Sequence, residues 1–124
     1  MVILRNIPCR YLHVGAVIHI HSTYATLWSC LPHDDLQDCV PDYTPYLKMK
    51  LGTVGIVPYA KPGSQELFDA FETAMPKSDG WLLAHHGLVV GGKDLMAAFG
   101  CAEELEESCR IAWELQGKNV PTIK

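Results

Sequence analysis

Val14-Gly15-Ala16-Val17-Ile18-His19-Ile20-His21 is an apolar, β-branched run that carries two histidines two residues apart. Such a run, bounded by polar residues, reads as a buried strand over residues 14–21. Successive side chains of a strand point to opposite faces. His19 and His21 therefore share one face, and Ile18 and Ile20 take the other. Two imidazoles roughly 7 Å apart along a strand can converge on one cation. A lone core histidine is ordinarily a hydrogen-bonded core group. Two on one face would each need a buried partner of its own, which makes the pair a metal candidate.

Outward from this strand the chain alternates between helix and strand. Residues 23–31 have helical spacing, with Ser22 or Thr23 able to cap the start. Residues 32–46 form a polar, proline-dotted loop long enough to suspect function. A short helix over 46–51 and a strand over 53–59 follow. Lys61-Pro62-Gly63-Ser64 is a turn, and Ser64 caps a helix over 65–75 that packs through Leu67, Phe68 and Phe71. After a turn at 76–80, a third strand is predicted over 81–86. Gly87 would permit a sharp bend, and residues 88–90 continue as a strand. A long helix over 94–116 repeats apolar residues at three and four: Leu95, Ala98, Phe99, Ala102, Leu105, Cys109, Ala112 and Trp113. The flanking pairs Glu103-Glu104 and Glu106-Glu107 read as a solvated face. From Gly117 the chain reads as a loose tail. Strands alternating with helices imply an α/β fold, a sheet covered by helices.

The third strand ends in Ala84-His85-His86-Gly87, where α/β sheets place their sites. On a strand His85 and His86 would face opposite sides, so only one can join the first pair, and spacing alone does not choose between them. Three neutral imidazoles suit zinc and leave room for a further ligand, water or substrate. A metal so held acts as a Lewis acid on a carbonyl or enediolate oxygen. His13, before the first strand, and His33, in a loop, read as surface histidines.

Composition bounds the partners. The 124 residues are 48% hydrophobic and 19% charged, which reads as one globular domain over residues 1–124 with some apolar surface kept for a partner subunit. The net charge of −4 and the absence of a basic run argue against nucleic acid. No apolar stretch is long enough to span a membrane, and the apolar run in residues 1–5 is too short for a signal peptide. Cys9, Cys30, Cys39, Cys101 and Cys109 are odd in number and contain no CxxC pair. They read as reduced thiols of a cytoplasmic protein, each a small buried hydrophobe.

At this point the motifs carry a resemblance. Gly15-Ala16-Val17-Ile18-His19-Ile20-His21-Ser22-Thr23-Tyr24-Ala25-Thr26 is followed by Val57-Pro58-Tyr59-Ala60-Lys61-Pro62-Gly63-Ser64-Gln65-Glu66-Leu67. Then come Leu82-Leu83-Ala84-His85-His86-Gly87, Gly92-Lys93-Asp94-Leu95 and the helical Ala102-Glu103-Glu104-Leu105-Glu106-Glu107. In that order they resemble the class II aldolase/ribulose-phosphate epimerase family, the group of L-fuculose-phosphate aldolase. Tyr43-Thr44-Pro45-Tyr46 and residues 22–31 are most similar to its 3-oxo-tetronate 4-phosphate decarboxylases. The resemblance implies a three-layer α/β/α sandwich. It implies metal ligands His19, His21 and His86, holding Zn2+ or another divalent ion such as Mn2+ or Co2+. It also implies a homotetramer with sites between subunits, in which Tyr46 reaches a neighbouring site as a proton donor or acceptor. The substrate implied is a phosphorylated sugar or sugar acid, cleaved as by a decarboxylase or an aldolase through an enediolate. A 4-epimerase or dehydratase on the same scaffold, or a non-catalytic assembly module, are the alternatives.

The chain also departs from the family. Members carry an N-terminal part with glycine- and serine-rich phosphate-binding loops. It also holds a glutamate, shortly before the first histidine, that serves as fourth ligand and acid/base. Here no Asp or Glu precedes Asp34. The sandwich is therefore expected to be incomplete at its N-terminus, and the chain to be inactive alone.

Overall fold

The computed structural model describes residues 14–123. Cys9, His13 and residues 1–5 lie outside the described residues. The elements run β1 (Ala16–Ile20), α1 (Thr23–Ser29), α2 (Tyr46–Lys50), β2 (Val54–Val57), α3 (Gln65–Ala74), a 3-10 turn (Met75–Lys77), β3 (Gly80–Leu83), β4 (Gly87–Gly92) and α4 (Leu95–Leu115). Among the described residues they make one four-stranded sheet of order β1-β4-β3-β2. β4 is antiparallel to both β1 and β3, and β2 is parallel to β3. So β1, β2 and β3 run in one direction and end on the same edge of the fold.

Pleating divides the core into two faces. Val54, Ile56, Leu82, Leu88 and Val90 meet α1, α2 and α4 through Ala25, Trp28, Leu47, Leu105 and Cys109. Val57, Trp81, Leu83 and Val89 meet α3 through Leu67 and Phe71. Helices on both sides of the sheet give the three α/β/α layers. Leu82, Leu88 and Leu105 are fully buried, each stabilising the fold by roughly 1.5–3 kcal/mol. The loop over 32–46 lies along the outer edge of β2: Cys39 N donates to Val54 O and Ile56 N to Leu36 O. It blunts an edge that would otherwise offer unpaired groups to another strand. His33, in this loop, is tied to α1, its Nε2 meeting Trp28 O at 2.8 Å. The tail is anchored near its end by Ile123 N donating to Asp42 O.

Caps define the helix starts. Ser64 Oγ accepts from Leu67 N at 3.2 Å. Asp94 Oδ1 accepts from Ala97 N at 2.8 Å at the head of α4. Losing the Asp94 cap costs about 1 kcal/mol. Asp94→Ala is expected to lower Tm by several degrees, read by thermal unfolding.

Two expectations for α4 need correction. Leu95 and Phe99 are exposed, whereas Cys101 and Ser108 turn inward. The stripe begins only at Ala98, where β4 first comes against the helix. Cys30 is exposed and not a buried hydrophobe, since it follows the last turn of α1 at the surface. Cys39, Cys101 and Cys109 are buried, and desolvation pushes the Cys39 thiol up to about 12. No helix among the described residues is long and apolar enough to cross a membrane.

Candidate metal centre

His19 projects from β1 on the α3 face, opposite Val89 in the ladder. His21 follows just past the strand end on the same side, with ring centroids 5.1 Å apart. Ile18 packs into the α4-side core, as alternation requires. The expectation of a strand through His86 fails. β3 stops at Leu83, and Ala84-His85-His86 form the turn of a β3–β4 hairpin. His85 takes the left-handed conformation (φ 58°) that lets three residues reverse the chain. The turn, not strand alternation, separates the two histidines. His86 points to the first pair, its centroid 4.8 Å from both His19 and His21. His85 points the other way, onto Tyr59 at 6.0 Å. Gly87 is not the bend. It lies in β4, where a Cβ would sit 2.3 Å from the carbonyl oxygen of Ile20.

The three residues each offer a ring nitrogen, and these nitrogens lie within 4.8 Å of one another. Among the described residues this is the only cluster of three or more side chains that could ligate a metal. His19 Nδ1 lies 2.9 Å from Leu88 O. A carbonyl only accepts, so Nδ1–H donates and Nε2 carries the free lone pair. That Nε2 faces His86 Nε2 at 3.2 Å. Ligand atoms 2.0–2.1 Å from a tetrahedral ion stand roughly 3.3 Å apart, so the spacing of this pair fits a shared cation. Burial, then His19 and His21, hold the His86 imidazole below its ordinary value. It is an uncharged lone-pair donor at neutral pH. Beneath the rings lies a cavity of about 140 Å³, walled by His19 and His86 on one side and Leu67, Phe68 and Phe71 on the other.

Tyr46 is the first residue of α2 and is 58% exposed. Among the described residues no hydrogen bond or ring contact joins it to the three imidazoles. Sequence reasoning also missed two contacts made by α1, the helix that follows His21. Thr26 Oγ1 donates to His86 O at 3.4 Å. Glu106, assigned above to a solvated face, instead accepts from Tyr24 N at 3.0 Å and Ala25 N at 2.8 Å. It caps α1 in place of Ser22, whose hydroxyl makes no cap bond. The signal was in the sequence: Glu106 stands four residues after Ala102 and three before Cys109, on the apolar stripe. A carboxylate there needs a partner.

The class II aldolase and adducin N-terminal domain matches residues 6–113. The chain belongs to that family. Its class II aldolase relatives include the 3-oxo-tetronate 4-phosphate decarboxylase of Pectobacterium atrosepticum, 40% identical over 119 residues, covering 95% of this chain and 52% of that protein. The Haemophilus influenzae protein of the same name is 38% identical over 116 residues, 94% of this chain and 53% of its own. YgbL from Escherichia coli, described as a putative aldolase/epimerase/decarboxylase, superposes with a TM-score of 0.84 at 35% identity. That match covers 98% of this chain and 57% of YgbL. An L-fuculose 1-phosphate aldolase superposes with a TM-score of 0.75 at 30% identity, over 90% of this chain and 50% of its own. The class II aldolase fold expected from the sequence is therefore the fold observed. The chain spans about half the length of the curated relatives it matches.

Proposed function

We propose that this chain supplies the imidazole half of a divalent-metal lyase centre for a phosphorylated sugar acid, with decarboxylation favoured over aldol cleavage. The supporting observation is the convergence of His19, His21 and His86 at the strand ends, with His19 already oriented by Leu88 O. Zinc, or Mn2+ or Co2+, fits this donor set and would supply Lewis-acid stabilisation of the negative charge that grows on a substrate oxygen as a carbon–carbon bond breaks. The chain's own residues do the rest. Leu88 O fixes the tautomer of His19. Leu67, Phe68 and Phe71 give the cavity beside the His19 and His86 rings an apolar wall. Similarity to proteins named 3-oxo-tetronate 4-phosphate decarboxylase favours that substrate class. In this reading the protein is a cytoplasmic homo-oligomer, and Tyr46, exposed on α2, serves the site of a neighbouring subunit as a proton donor or acceptor.

No carboxylate belongs to the imidazole cluster among the described residues. The carboxylate base is assigned to a group outside residues 14–123. The 124-residue chain is therefore expected to release little or no carbon dioxide from a 3-oxo-tetronate 4-phosphate in the presence of zinc. Substantial decarboxylation by this chain alone would reject the missing base. Release of an aldehyde instead of carbon dioxide would move the reading to aldol cleavage.

A further inference from the structure

We infer that Glu106 is a positioning residue for the imidazole cluster, acting through α1 without touching the metal. The inference rests on the metal reading above. α1 starts two residues after His21, and its first turn contains no acidic residue and no side-chain cap. Ser22 Oγ is buried without a hydrogen-bond partner. The first N–H groups of a helix need acceptors from elsewhere. Both oxygens of Glu106 provide them, 81 and 82 residues away in sequence, to Ala25 N and Tyr24 N. These are charge-assisted bonds at the positive end of the helix.

α1 also holds the second ligand segment. Thr26 Oγ1 donates to His86 O, and Ser29 O accepts from His85 N at 3.3 Å. One short helix thus contacts both histidine segments. His21 lies beyond the last residue of β1, and the β1–β4 pairing ends at Ile20. The ladder therefore does not fix His21, and the start of α1 does. Glu106 itself stands on the 21-residue α4 between the buried Leu105 and Cys109, a rigid base. Without its carboxylate the first turn of α1 loosens, and His21 drifts from the other two rings.

The test is zinc affinity by competition with a chromophoric chelator, compared across wild type, Glu106→Gln and Asp94→Ala. Asp94→Ala removes a helix cap of the same kind on α4, beside the start of β1 and away from the histidines. Glu106→Gln is expected to weaken zinc binding by about 10- to 100-fold, the range for partners that orient metal ligands. Asp94→Ala is expected to stay within about twofold of wild type at a comparable loss of Tm, because the α4 cap lies away from both histidine segments and its loss acts on stability alone. Co2+-loaded Glu106→Gln should show an altered d–d absorption band. Wild-type affinity and spectrum in Glu106→Gln overturn the inference, as does an equal affinity loss in Asp94→Ala. If Glu106→Gln does not fold, Glu106→Asp is read the same way, because it keeps the charge and shortens the reach. Failure of the wild-type chain to bind zinc overturns the metal reading itself, and the inference with it.

Discussion

His86→Ala lowers zinc affinity by more than about 100-fold, whereas His85→Asn leaves it within a few-fold. Loss of an outer partner alone costs 10- to 100-fold, and removing a direct ligand exceeds that. Two remaining imidazoles leave an ion held mostly by water. The contrast between neighbours is the discriminating part. The hairpin turn sends the His86 ring to within 4.8 Å of both partners and the His85 ring toward Tyr59. Asparagine tolerates the left-handed backbone at position 85, so that variant tests the side chain and not the turn. His86 is half-buried in a turn, and its removal should cost the metal-free fold about 1 kcal/mol or less. Chelator competition together with thermal unfolding separates the two effects. Equal losses of affinity in both variants would contradict the assignment of His86.

Gly87→Ala is expected to be the most damaging single methyl near the site. The added Cβ would stand 2.3 Å from Ile20 O, 3.1 Å from Ile20 C and 3.2 Å from His21 Cα. All three are backbone atoms, which cannot rotate away as a side chain can. The β1 end must part from β4, breaking the Ile20–Leu88 pairing beside His21. Overpacking of this kind costs about 3 kcal/mol, or a Tm lower by roughly 10 °C. Zinc affinity should fall with it, since the displaced backbone carries a ring of the cluster. Gly63→Ala is the control: its Cβ meets nothing within 4 Å, although φ is +81°. It should cost only about 1 kcal/mol of backbone strain. A Gly87→Ala protein that melts with wild type would show that β1 and β4 do not approach as described.

The parts legible in the sequence were those with a local period. Alternation put His19 and His21 on one face because a strand repeats every two residues. Ser64 was recognisable as a cap because the helix after it carries a clear apolar stripe. The hairpin turn was not legible: Ala84-His85-His86 contains neither glycine nor proline, and His85 supplies the left-handed residue itself. From the sequence alone the strand therefore reads three residues too long, and Gly87 reads as a bend when its role is to make room for Ile20. The capping of α1 by Glu106 spans more than 80 residues, beyond any periodic pattern. The order β1-β4-β3-β2 likewise depends on long-range pairing.

If His19, His21 and His86 share one divalent ion, X-ray absorption at the zinc edge of the loaded chain will report it. One zinc per chain is expected, with a first shell containing three imidazole nitrogens at about 2.0–2.1 Å and the multiple scattering those rings produce. A shell of oxygens only, or fewer than three imidazoles per ion, would contradict it.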